Sequence, residues 1–145
     1  MRRLVLLPLL ALAAACGGGD SGELTRSEYT RLAGDICVEA QKKLDALGGF
    51  ENFEELSKEM KAGEKALRAS ADDLNELEPP PNLKAAHKTL ADLQDETADI
   101  AERISAAAGE NDQVEMQKQA ERADKVTIAS NEAARKLGIE ACVAG

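Results

Sequence analysis

Few residues of this chain could do chemistry, and their spacing decides how much. His87 is the single histidine. Metal-binding helical bundles pair Glu-x-x-His on facing helices, and Lys84 stands where that carboxylate would be. His87 therefore reads as a half-exposed residue flanking a helix stripe. Ser27, Ser57, Ser70, Ser105 and Ser130 lack a base to activate them, because no Ser-x-x-Lys occurs, and they read as cap, face or core hydroxyls. There is no glycine-rich phosphate loop and no Cys-x-x-Cys-His for haem attachment. Asp92, Asp95, Glu96, Asp99 and Glu102 recur at steps of three and four, which makes the first four candidates for a weak cation site. A tight calcium site draws its ligands from a converging loop, so the row reads first as a solvated acidic face. These patterns point to a non-enzymatic protein with no cofactor.

The three cysteines say more. Cys16 follows Arg2, Arg3, an apolar run from Leu4 to Ala15 interrupted by Pro8, and small alanines at the junction. That is the order of a secretion signal, residues 1–15, with small side chains where a peptidase cleaves. Twelve apolar residues reach about 18 Å as a helix, against a hydrocarbon core of about 30 Å, so the run is too short to span. Leu12-Ala13-Ala14-Ala15-Cys16 resembles the bacterial lipobox, with Ala13 where leucine is usual and Leu12 one place earlier. The resemblance implies that Cys16 carries a diacylglyceryl thioether with palmitate-type chains, which holds a small domain stably on the outer face of the cell membrane.

Residues 16–24 hold no side chain able to offset the entropy of ordering, and nine such residues reach about 15 to 18 Å root-mean-square as a tether. Without Arg2 and Arg3 the mature chain has 16 basic residues against 27 acidic, a net charge of −11. That sign argues against nucleic acid as a partner and against lying flat on anionic headgroups. The 130 mature residues make one domain. Its aromatics are Tyr29, Phe50 and Phe53 alone, so the core must come from Leu, Ile, Val and Ala, which suits closely packed helices.

Four helical patterns fill residues 25–145. The first, about 25–47, places Tyr29, Leu32, Ile36, Ala40, Leu44 and Leu47 on one stripe after a Thr25 or Ser27 cap, and Gly48-Gly49 ends it. The second, about 51–77, alternates threes and fours from Phe53 through Leu56, Met60, Gly63, Leu67, Ser70 and Leu74 to Leu77. Gly63 in that stripe marks a close helix approach, since glycine costs about 1 kcal/mol in a helix. Pro79-Pro80-Pro81 makes a rigid turn, with Asn82 as the next cap. The third helix, about 83–108, carries Leu83, Ala86, Leu90, Leu93, Thr97, Ile100, Ile104 and Ala107, and Gly109 breaks it. The fourth, about 113–137, has a small, hydroxylic stripe of Met116, Ala120, Ala123, Thr127, Ser130, Ala134 and Leu137, with Val126 and Ala133 beside it. Comparable helices joined by short turns predict an all-α, up-down-up-down four-helix bundle with the first and last helices side by side.

Outside the cytoplasm two remaining cysteines pair, so Cys37 and Cys142 are expected to form a disulfide that folds the tail after Gly138 onto the first helix. Leu24 to Tyr29, Asp35-Ile36-Cys37, Leu74 to Pro80 and Leu137 to Cys142 together resemble a group of small, uncharacterised actinobacterial lipoproteins. The resemblance implies the same disulfide, bundle and location, and no activity. The function to expect is a membrane-anchored binding or scaffolding module of the cell envelope, with another envelope protein as partner. The rival is a carrier of a small ligand or cation, using space left by Gly63, Ser70, Thr97, Thr127 and Ser130. Mass spectrometry of the unreduced protein is expected to find it lighter than the reduced form by two hydrogens; two freely alkylated thiols would refute the bridge.

Overall fold

The computed structural model describes residues 24–144, so the expected signal peptide, Cys16 and most of the tether lie outside the described residues. Within them there are four α-helices and no strand: α1 (Arg26–Asp45), α2 (Phe53–Asn75), α3 (Lys84–Glu110) and α4 (Gln113–Leu137). Two short 3-10 turns flank them, Pro81–Leu83 before α3 and Glu140–Cys142 in the tail.

Each start has a local cause. Thr25 caps α1 in a full capping box, accepting from the Glu28 amide while Glu28 reaches back to the Thr25 amide. Asn52 caps α2 through the Glu55 amide. Asn82 does not cap α3 as the sequence suggested. The proline turn instead runs into the helix through a Leu83 amide bond to the Pro80 carbonyl at 2.8 Å.

The end of α3 also differs from expectation. Gly109 stays helical, because a glycine weakens a helix without stopping it. The reversal falls at Asn111, in the left-handed region at φ 58°, where the Asn111 and Asp112 amides close on the Ala108 and Ala107 carbonyls. Asp112 then caps α4 at once by accepting from the Glu115 amide. Gly138 ends α4 in the same way at φ 77°, with Ile139 bonded back to the Ala134 carbonyl and buried against the core.

Packing is uneven. The helix α3 is central, lying most extensively against α2 on one side and α4 on the other. It is accordingly buried over a wide arc, with His87, Leu90, Ala91, Ala98, Ala101, Ser105 and Ala108 along one side and Ile100 and Ala107 along another. Small residues let α2 come close: Ser57 and Ser105 each donate a hydroxyl to the other's carbonyl, at 2.7 and 2.8 Å. Gly63 meets α1 as the sequence indicated, since a Cβ there would stand 3.3 Å from Leu47 and 3.6 Å from Leu44.

The expectation that α1 and α4 lie side by side is corrected. Their backbones make few close approaches, and the Glu140–Cys142 turn occupies the space between them. The α4 stripe shifts with this arrangement. Gln119 and Val126 are buried, whereas Ala120 and Thr127 are exposed, because α4 turns its buried face to α3 rather than toward α1.

Nothing but Arg26, at 4.0 Å, would meet a Cβ on Gly138, so any cost of substitution there is conformational. Gly138→Ala is expected to lower stability by about 1 to 2 kcal/mol. Asn111→Gly, at the other left-handed position, is expected to raise it by up to about 1 kcal/mol. Urea unfolding of the two variants should move the midpoint in opposite directions.

Candidate functional site

The bridge forms. Cys37 in the middle of α1 and Cys142 in the tail are disulfide-bonded with Cα atoms 5.1 Å apart, closing a sequence separation of 105 residues. In the chain-entropy account a loop of that size contributes up to about 4.7 kcal/mol. The tail is fixed a second time beyond it. Asn131 donates to the Ala144 carbonyl at 3.1 Å and accepts from the Ala144 amide at 2.8 Å. Sequence reasoning missed this clamp, because an exposed-looking Asn on a helix carries no mark of its backbone partner.

A pocket of about 150 Å³ lies under the fixed tail, between all four helices. Cys37, Ala40, Leu44, Leu67, Cys142 and Val143 make one wall, and Gln94, Thr97, Thr127, Ser130 and Asn131 the other. Three of the residues expected to leave space, Thr97, Thr127 and Ser130, come together here. The other two do not: Gly63 packs on α1, and Ser70 is buried with its hydroxyl unpartnered.

His87 is not a flanking residue. It is only 8% exposed, and its Nδ1 lies 2.9 Å from the Tyr29 hydroxyl, a hydrogen bond whose direction follows the imidazole tautomer. The rings meet edge to face at 5.6 Å. The spacing Leu83, His87, Leu90 is itself a four-three helical stripe and was the signal available. Burial pushes the Tyr29 hydroxyl up to about 12. It pushes His87 below its ordinary value, against a smaller opposing pull from Glu78.

The acidic row does not converge on a point. Asp92 is paired with Lys88 at 2.7 Å, and Glu96 is held by Arg122 from α4 at 2.7 and 3.0 Å. Asp99 and Glu102 share Arg68 from α2, at 2.9 and 2.8 Å, and that guanidinium also bonds Glu64 at 2.8 Å. These bonds keep Arg68 charged more firmly than usual. Among the described residues no three His, Cys, Asp or Glu side chains are grouped to hold a metal ion.

At the far end of α3 lies a groove of about 730 Å³ lined by Asn52, Phe53, Ser57, Lys58, Lys61 and Gly109 among others. Phe50 before α2 is 54% exposed, and Val114 at the start of α4 is 80% exposed.

These features define an all-α domain stapled by one disulfide. No protein-family model matches the chain, and no curated protein or solved structure is detectably similar to it.

The Tyr29–His87 pair makes stability pH-dependent with a definite sign. The unfolded histidine takes up its proton near pH 6.5, and the folded one only at lower pH. The contribution is therefore present above about pH 6.5 and lost as pH falls through the folded value. Thermal unfolding between pH 7.5 and 5.5, above the range where the carboxylates titrate, should show a falling midpoint that His87→Gln flattens.

Proposed function

We propose that the protein is a lipid-anchored, extracytoplasmic binding module of the cell envelope, built as an up-down-up-down four-helix bundle and displayed on the Cys16 thioether. The register of side-chain bonds supports that topology. Ser57 near the start of α2 meets Ser105 near the end of α3, and Glu96 of α3 meets Arg122 of α4 across the Asn111 turn. The Leu24 amide bonds the Glu78 carbonyl at 3.4 Å, so the chain enters the domain beside the proline turn.

The observation that carries the binding role is what lies at the other end. Across a helix of 27 residues, about 40 Å, stand Phe50, Val114 and the groove between α2 and α3. Four large apolar side chains are exposed among the described residues, Val38, Phe50, Val114 and Ile128, and Phe50 and Val114 stand at this end. Lys58 and Lys61 line the groove together with Glu54, which suits a partner protein presenting apolar side chains with carboxylates for the two lysines. Among the described residues no helix is long and apolar enough to cross a membrane.

Cys16→Ser should release the protein from sedimenting membranes, and in-cell crosslinking of the unaltered protein should capture a partner that the double variant Phe50→Asp, Val114→Asp loses. A serine variant still pelleting at its usual size would sink the anchor. Unchanged capture by the double variant would sink the tip. A second reading, a small-ligand carrier, is favoured by the pocket beneath the tail.

A further inference from the structure

We propose that the pocket under the C-terminal tail binds a small uncharged polyhydroxyl molecule, a polyol or the edge of a single sugar ring; this rests on the carrier reading and gives it a ligand chemistry.

The lining carries the argument. Charged residues make up 31% of the chain, yet none of the thirteen side chains around this pocket is charged. An ion placed there would lose hydration without gaining a counter-charge, so charged ligands are disfavoured. Gln94, Thr127 and Ser130 offer donors and acceptors together, while Thr97 has committed its proton to the Leu93 carbonyl and keeps its oxygen as an acceptor. Asn131 is spent on the tail, so it shapes the wall without serving a ligand. The facing wall of Ala40, Leu44, Leu67, Val143 and the disulfide is apolar except for Gln41, whose amide donates to Asp45. Water needs two to four polar partners and is poorly served against such a wall. A polyol is served by both walls, its carbon face on one and its hydroxyls on the other.

Size narrows the class. A cavity of about 150 Å³ is one that accommodates a six-membered ring such as benzene. The tail closes one side of this pocket, pinned by the Cys37–Cys142 bridge and the Asn131–Ala144 clamp, so the site is preorganised.

The test is nitrogen-proton NMR titration of the oxidised protein with glycerol, myo-inositol and glucose, and separately with glycerol phosphate, acetate and benzene. Saturable shifts confined to Gln94, Thr127, Ser130, Val143 and Ala144 with at least one neutral hydroxylated probe are expected. Ser130→Leu, which fills the pocket, should weaken that binding by about tenfold or more. Thr127→Met, on an exposed residue of the same wall, does the same job should the first variant fail to fold. Saturation only by acetate, glycerol phosphate or benzene would overturn the polyol assignment and leave a carrier. Saturation by none of the six would overturn both.

Discussion

The fold depends on how little α1 can bury. Its twenty residues contribute Tyr29, Ala33, Cys37 and Ala40 to the interior, and of these only Tyr29 is large. At about 25 cal/mol per Å² of apolar surface, alanines cannot hold a helix against the entropy of docking it. Three devices make up the difference. The capping box sets where α1 begins, the Tyr29–His87 bond fastens its first turns to α3, and the disulfide fastens its middle to the tail. The first is local and the other two join residues far apart in sequence, and the disulfide, being covalent, also restricts the unfolded chain.

Helix number, approximate limits and the bridge were legible because they follow from short-range rules. Threes and fours, caps and prolines act within a few residues, and a lone pair of cysteines has one partner each. The misreadings share one cause. His87, Ala120 and Thr127 were assigned to a face by sequence pattern alone, while their burial depends on which neighbour each helix meets. A polar side chain goes inside when a partner waits there, as Tyr29 does for His87, and that partner lies 58 residues away in the sequence. The Asn111 reversal was missed for a different reason. Gly109 is the stronger breaker on paper, but the left-handed turn needed two more residues of helix before α4 could be capped by Asp112.

The charges pair along helices, as in Arg31–Asp35 and Lys88–Asp92, and also across them. Arg68 gathers Glu64, Asp99 and Glu102 from two helices, and Arg122 takes Glu96 in a two-toothed bond. Exposed pairs of this kind contribute roughly 0 to 1 kcal/mol each, so they are weak as glue. Their effect lies in register. A slip of one turn along α2 or α4 would carry Arg68 or Arg122 away from the α3 carboxylates to which they donate and leave those carboxylates unpaired. In a core of alanines and serines, where side-chain shape discriminates poorly between neighbouring registers, that is the useful service a surface ion pair can give.

The position of the pocket follows from the same shortage of bulk. With the Glu140–Cys142 turn packed against both α1 and α4, those helices make few close approaches, and side chains on both would have to be long to meet. At the level of Cys37 they are not: α1 offers Ala40, and α4 offers Thr127 and Ser130. A leucine at residue 130 would fill the space and add burial worth about 1.5 to 3 kcal/mol, so an interior selected for stability alone would favour it. The hydroxyls that stand there instead line a pocket with a largely apolar opposite wall, beneath a tail pinned twice.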